Sequence, residues 1–299
     1  MSTPVPAAAS RWVLMARDIK LSHSVFALPF ALLAAFLAAD HGSTALTWKH
    51  LALVIAAMFF ARSFAMLANR YADRQIDAAN PRTAERALPS GRLRSADVTG
   101  AMAACAVALA LVAGAFGILF DNWWPLIFTP PVLLWLGLYG LIKRWTLLCH
   151  FFLGGALALS PVAAALAIDP LYLATAAPWW LAGFVLLWVA GFDIIYALQD
   201  QQVDREQGLH SIPARLGREG ALVAAKTVHL LAFVALVMTH RSAPPLGTLF
   251  FAGMVAVGLL LAIEHAAATR GRFSLAFFTA NGLISLLLGG LGIADILMR

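Results

Sequence analysis

The stretch Pro178-Trp-Trp-Leu-Ala-Gly-Phe-Val-Leu-Leu-Trp-Val-Ala-Gly-Phe-Asp193-Ile-Ile-Tyr196-Ala-Leu-Gln-Asp200-Gln-Gln-Val-Asp204 decides how the chain is read. No charge interrupts it before Asp193. An apolar run of about 20 residues is the length of a transmembrane helix. This run ends in three aspartates, so the segment predicts a membrane helix that surfaces through an acidic end.

Outward from it, the same apolar texture recurs. Runs at 21–39, 49–71, 97–120, 123–142, 147–168, 178–198, 219–239, 246–266 and 273–297 predict about nine spans. They must be helices, because open strands in lipid leave backbone groups unpaired, and no alternating pattern supports a barrel. The expected fold is therefore all-α: a polytopic membrane protein of about nine transmembrane helices around a central cavity open to the cytoplasmic side. Pro29, the Pro130–Pro131 pair and Pro161 fall inside runs and predict kinks where helices line a cavity.

Composition agrees. Of 299 residues, 62% are apolar and only 12% charged, about half the charged share of a soluble domain. This excludes a soluble globular enzyme, a disordered chain and a disulfide-rich secreted fold. Cys105 and Cys149 lie in apolar runs without metal or disulfide spacing and read as packing residues. The net charge of +6 does not point to nucleic acid, because the bases sort by side. The N-terminus and alternate loops hold 16 of the 21 Lys and Arg. By the positive-inside rule that face is cytoplasmic. Residues 1–10 do not resemble a cleaved signal peptide. The expectation is one domain over 1–299, with a cytoplasmic segment at 1–18 and cap loops near 72–95 and 199–218, in a bacterial inner membrane.

Two acidic constellations carry the chemistry. Asn69-Arg-Tyr-Ala-Asp73-Arg-Gln-Ile-Asp77 spaces its polar groups i, i+4, i+8, one stripe on a helix. Asp200 and Asp204 repeat the i, i+4 pair, with Asp193 two turns deeper. Carboxylates four apart repel, which is relieved by solvent at a helix end or by a hard cation such as Mg²⁺. Mg²⁺ takes oxygen ligands, commonly one or two carboxylates plus substrate phosphates. Five of the 15 acidic residues lie in these stripes, both at the cytoplasmic ends of their helices. Around them stand candidate phosphate ligands: Arg74, Arg82, Arg86 and Arg92, then Lys143 and Arg144, then Arg215 and Arg218. Acid pairs for the metal and bases for the remaining oxygens describe a site for a Mg²⁺-bound diphosphate. Arg62 sits two turns below Asn69 on the same face and needs a partner, either structural, such as Asp193, or an anionic substrate group. Intramembrane Arg62 and Asp193 also fit a proton or organic-anion transporter, but transport sites lie near the midplane, whereas most of these acids crowd one face. The scattered histidines, His150 and His229 among them, read as core or interface residues.

These motifs resemble a known family. The run Asn69 to Asp77, continued by Asn80-Pro-Arg82-Thr83-Ala-Glu-Arg86-Ala-Leu-Pro89-Ser-Gly91, is similar to the first signature of the UbiA-type intramembrane aromatic prenyltransferases. Asp193-x-x-Tyr196-Ala197-x-x-Asp200-x-x-x-Asp204 resembles their second, and Tyr139-x-x-x-Lys143-Arg144-x-Thr146 the basic motif between. The resemblance runs from Lys20 to about Gly217 and is strongest to the branch acting on 4-hydroxybenzoate. It implies Mg²⁺ on Asp73, Asp77, Asp200 and Asp204. It also implies a polyprenyl diphosphate held with Asn69, Arg74, Arg82, Arg86, Tyr139, Lys143, Arg144 and Tyr196, and a small aromatic acceptor near Arg62 and Asp193. Phe192, Tyr196 and Tyr139 would shield an allylic cation. No obligate protein partner is implied. Arg70 stands where the family has Asp, and the segments 23–30 and 208–213 resemble a subgroup associated with dihydroxynaphthoate acceptors in menaquinone formation.

Overall fold

The computed structural model describes residues 11–18, 26–273 and 279–299. The expectation for residues 1–10, and the parts of those for 21–39, 23–30 and 273–297 that fall on 21–25 and 274–278, lie outside them. Among the described residues the long elements are all helices: α1 (Arg11–Asp18), α2 (Leu28–His41), α3 (Trp48–Ala79), α4 (Ser95–Phe120), α5 (Trp124–Leu138), a 3₁₀ segment (Tyr139–Arg144), α6 (Cys149–Ile168), α7 (Ala177–Ala197), α8 (Gln201–Glu206), α9 (Ile212–Ser242), α10 (Thr248–Thr269) and α11 (Asn281–Leu297).

Among the described residues, seven helices are long and apolar enough to cross a membrane, and α2 and α11 are shorter apolar helices in the places of the first and last expected spans. In α2, Phe30, Ala31, Leu33, Ala34 and Ala35 are wholly buried among neighbouring helices. The outer surface is the converse: Leu111, Ile118, Leu134, Leu230 and Leu259 are all exposed. So much bare apolar surface suits a hydrocarbon solvent and not water. The most enclosed helix is α7, whose Phe184, Val185, Trp188, Val189 and Ile194 are fully buried against α6 and α9.

Three details depart from the expectations. Pro29 begins α2 rather than kinking it, since in a first turn no backbone bond is lost. Pro130–Pro131 and Pro161 do lie inside α5 and α6. The expected loop at 72–95 starts later, because α3 runs on to Ala79. Its 32 residues make a rod of about 48 Å, well beyond the roughly 30 Å hydrocarbon layer. The expected loop at 199–218 is mostly helical: a 3₁₀ turn at 198–200 leads into α8, and Ser211 caps the start of α9 by accepting from the Ala214 N–H. A kink at Gly217, with φ of +74°, turns α9 into the bundle.

Candidate active site

The end of α3 carries Asn69, Asp73 and Asp77 on one face, as their spacing requires. The second stripe is not one continuous helix, because the chain tightens to 3₁₀ at Leu198–Asp200 before α8. Both stripes nevertheless line one polar cavity of about 270 Å³, together with Asp193, Arg82, Arg86, Lys143 and Tyr196.

Each carboxylate meets its own partner. Lys143 Nζ donates to Asp73 Oδ2 at 2.6 Å, with Arg144 Nη2 at 3.8 Å from Oδ1. Arg86 Nη1 bonds both oxygens of Asp77 at 2.8 and 2.7 Å, and Arg70 lies 3.9 Å from it. Arg82 grips Asp200 through Nε at 2.9 Å and Nη2 at 2.5 Å, while Asn80 Nδ2 donates to Oδ1 at 2.9 Å. Burial works against the Arg82 charge, but its bonds to Asp200 outweigh that and raise its pKa above the ordinary guanidinium value. Arg82 also reaches the Tyr196 hydroxyl at 3.2 Å. Asp204 Oδ2 accepts from Ser211 Oγ at 2.7 Å. Acids and bases are thus interleaved, and the positive groups come from the loop after α3 and from the 3₁₀ segment at 139–144. Gly140 lets that segment close on α3, because a Cβ there would strike the Asn69 side-chain oxygen.

The donor set fits a hard divalent cation. Four carboxylates from α3, the 3₁₀ turn at 198–200 and α8 face one cavity, and among the described residues Asp73 Oδ1 is buried without a hydrogen-bond donor. Among the described residues no three acid, His or Cys side chains converge closely enough to hold an ion by themselves. Mg²⁺ commonly takes one or two carboxylates plus substrate phosphates, so such a cation would need phosphate oxygens to complete its shell here. The same phosphates would draw Lys143, Arg82 and Arg86 from the carboxylates.

Beyond Tyr139 and Leu153, which line both spaces, lies an apolar chamber of about 200 Å³. Its walls come from α3 to α6, with Ala27 just before α2, and are rich in small residues such as Ala57, Ala61, Ala113, Ala163 and Ala164. From Leu153 to Ala167 it follows α6 for roughly 20 Å.

Some expected residues lie elsewhere. Arg74 is turned away from the cavity: Nη1 donates to the Tyr71 carbonyl at 2.7 Å and the guanidinium covers the Tyr71 ring. Arg144 donates to the Ala72 carbonyl at 2.5 Å at the cavity margin. Arg62 lines the apolar chamber rather than the polar cavity. It does not ion-pair with Asp193, which bonds His150 Nδ1 at 2.7 Å. His150 and Cys149, read as packing residues, line the polar cavity. The site roles of His150, Ser211 and Asn80 depend on loops folding back, so the sequence pattern does not reveal them. Ser211 does carry a local sign: a Ser followed by Pro two residues on is a helix start.

A charged pocket at a helix end, opening into a long apolar chamber, is the form of a membrane enzyme for an amphiphile with a polyanionic head. The profile of the UbiA prenyltransferase family matches residues 27–291, and the chain belongs to that family. It is a prenyltransferase of the UbiA type. It is 30% identical to a 4-hydroxybenzoate octaprenyltransferase from Marinobacter nauticus over 240 residues, 80% of this chain and 77% of that protein. It is 31% identical to another from Xanthomonas campestris, covering 73% of this chain and 69% of that one. The apo structure of a UbiA homolog from Aeropyrum pernix superposes with a TM-score of 0.83 at 31% identity, over 92% of this chain and 98% of that one. A UbiA homolog from Archaeoglobus fulgidus bound to DMAPP and Mg²⁺ has the same fold, with a TM-score of 0.63 at 17% identity over 95% and 99% of the chains.

Proposed function

We propose that this protein transfers a polyprenyl group from polyprenyl diphosphate to 4-hydroxybenzoate, in a Mg²⁺-dependent reaction of ubiquinone-type quinone biosynthesis. The observation that carries the reading is the junction at Tyr139, where a cavity of paired acids and bases meets a chamber of alanines. An amphiphile with a diphosphate head and an isoprenoid tail is complementary to both spaces at once. The four-aspartate donor set supports the metal, as do the Mg²⁺ and prenyl diphosphates bound by the Archaeoglobus fulgidus homolog. The named relatives in Marinobacter and Xanthomonas support the acceptor.

In this reading Asp73, Asp77, Asp200 and Asp204 hold the metal, which when bound neutralises charge on the diphosphate. Lys143, Arg82 and Arg86, with Asn69 beside them, bind the remaining oxygens. They stabilise the leaving group as the prenyl C–O bond breaks and its electron pair passes to the diphosphate. The apolar walls at Tyr139, Tyr196 and Phe192 keep water from the allylic cation. The ring carbon beside the acceptor hydroxyl then forms the new C–C bond, and the ring loses its proton to a base, for which Asp193 in the cavity wall is the candidate. Asp193 orients the hydroxyl, and Arg62, across Tyr139, is the candidate for the acceptor carboxylate. The chain works as one domain, with its N-terminus and cavity mouth on the cytoplasmic face of a bacterial inner membrane.

The test is product mass spectrometry on purified protein with Mg²⁺, a polyprenyl diphosphate and three acceptors: 4-hydroxybenzoate, 1,4-dihydroxy-2-naphthoate and 1,4-dihydroxy-6-naphthoate. A prenylated 4-hydroxybenzoate as the dominant product is expected. A dominant prenylated naphthoate would move the enzyme to menaquinone formation, and no product with any acceptor would sink the prenyl-transfer assignment.

A further inference from the structure

One group in the cavity wall has no part in the scheme above. His150 is the second residue of α6 and is almost completely buried. Its Nε2 lies 3.2 Å from the backbone nitrogen of Ile212. A backbone N–H only donates, so Nε2 must present a lone pair. The ring proton therefore sits on Nδ1, which donates to Asp193 Oδ2 at 2.7 Å. Ile212 is the first residue of α9, where backbone N–H groups have no partner within the helix. The imidazole is thus anchored on one side by a helix start and grips a carboxylate on the other. The anchor is itself braced: the neighbouring Ser211 bonds Asp204, and His210 N donates to the Lys143 carbonyl at 2.6 Å. Among the described residues Asp193 Oδ1 takes no other hydrogen bond, and Asp193 lines the cavity.

We infer that His150 is a positioning residue for the aromatic acceptor: by occupying Oδ2 it turns Asp193 so that Oδ1 accepts a hydrogen bond from the acceptor's phenolic hydroxyl. This rests on the prenyl-transfer reading. It adds an orientation to it: the hydroxyl of the acceptor, not its carboxylate, faces α7, because a carboxylate oxygen accepts and does not welcome a second anion. A ring locked at both nitrogens also spares Asp193 the rotamer search that a lone carboxylate would make, which is how a positioning contact aids catalysis.

The test compares His150→Ala with His150→Asn in the full-length protein, with Mg²⁺, prenyl diphosphate and 4-hydroxybenzoate. Asn keeps an N–H donor near the Nδ1 position, whereas Ala removes it. We expect the Ala variant to raise KM for the acceptor at least tenfold while KM for the prenyl diphosphate moves less than threefold. The Asn variant should recover most of the loss. Competition with 4-methoxybenzoate supplies a second readout. The wild type should prefer the free hydroxyl over the methyl ether at least tenfold, and the Ala variant should lose that preference. Equal rises in both KM values, no change in either, or an Asn variant that melts like the wild type but behaves like Ala would overturn the inference. Should Ala fail to fold, the Asn variant and the wild-type hydroxyl preference decide the matter, and a wild type indifferent to the methyl ether overturns the inference. A wild type inert toward every acceptor would overturn the underlying reading instead.

Discussion

Two regions of this molecule bury carboxylates, and they do it in opposite ways. At the ends of α3 and α7, Asp73, Asp77 and Asp200 each face a lysine or arginine within 3 Å. On the other side of the bundle, Glu264 of α10 is wholly buried and accepts from Asn281 Nδ2 at 3.1 Å, while Asn281 Oδ1 accepts from Trp188 Nε1 at 2.7 Å. Its partners are neutral. Nearby, His229 Nε2 must donate to the Trp188 carbonyl at 3.1 Å, so its Nδ1 accepts from His265 Nε2 at 3.0 Å. Interleaved full charges with a cavity between them can be exchanged for a ligand's charges. Neutral groups locked between helices cannot. The first arrangement is a binding site and the second is packing with hydrogen bonds.

Substitutions can break that contrast. The largest effect is expected for Asp73→Ala and Asp200→Ala. Each removes a candidate metal ligand and leaves Lys143 or Arg82 without its carboxylate, so transfer in membranes should fall by about a thousandfold or more. The measurement is Mg²⁺-dependent product formation, with insertion checked in the membrane fraction. Full activity in either variant would remove the metal assignment. Lys143→Ala should cost less, about a hundredfold in kcat/KM, because one cation is lost from several around the leaving group. A Lys143→Ala enzyme as fast as the wild type would mean that Lys143 serves Asp73 alone.

Much of this contrast is legible in the order of the amino acids. The spacing of Asn69, Asp73 and Asp77 specifies a helical face whatever surrounds it, and α3 presents them so. The apolar runs place α4 to α7 and α10 within about four residues, while α3 ends and α9 begins seven or eight residues outside their runs. Proline position is harder to read: Pro29 and Pro161 look alike in a run of apolar residues, yet one starts a helix and the other lies within one. The rest of the site is tertiary. His150 reaches Asp193 across 43 positions and Asn80 reaches Asp200 across 120, and neither pairing has a local signature. Arg74 misleads because neighbours on a helix point about 100° apart, so an arginine beside Asp73 cannot share its face. Arg62 and Asp193 do not share a cavity, since Tyr139 and Leu153 stand at the boundary between the two spaces.

A smaller effect is expected in the apolar chamber, where bulk and not charge decides. Ala164 lies toward the end of the chamber away from Tyr139. Ala164→Phe should shorten the space for a tail and leave the charged cavity as it is. Losing room for one or two methylenes is worth about tenfold in discrimination. The ratio of kcat/KM for a short over a long prenyl diphosphate should therefore rise by about that factor. An unchanged ratio would show that the tail leaves the protein before it reaches Ala164.

The smallest effect completes the contrast between the two buried regions. Glu264→Gln keeps an oxygen for the Asn281 amide and changes only the second atom, Oε2, which has no hydrogen-bond partner among the described residues. If Glu264 is packing, prenyl transfer should stay within about twofold of the wild type. The melting temperature should move by no more than the few degrees that correspond to about 1 kcal/mol in a protein of this size. Glu264→Leu removes the acceptor as well and takes one bond from the Asn281 amide. It should cost about 1–3 kcal/mol of stability, again with little loss of activity in protein that remains folded. Thermal melts in detergent and initial rates on the same samples separate the two quantities. A Glu264→Gln variant that melts normally yet loses transfer would mean that this second carboxylate belongs to the chemistry, and that a buried acid among neutral partners is not, in this fold, a mark of packing alone.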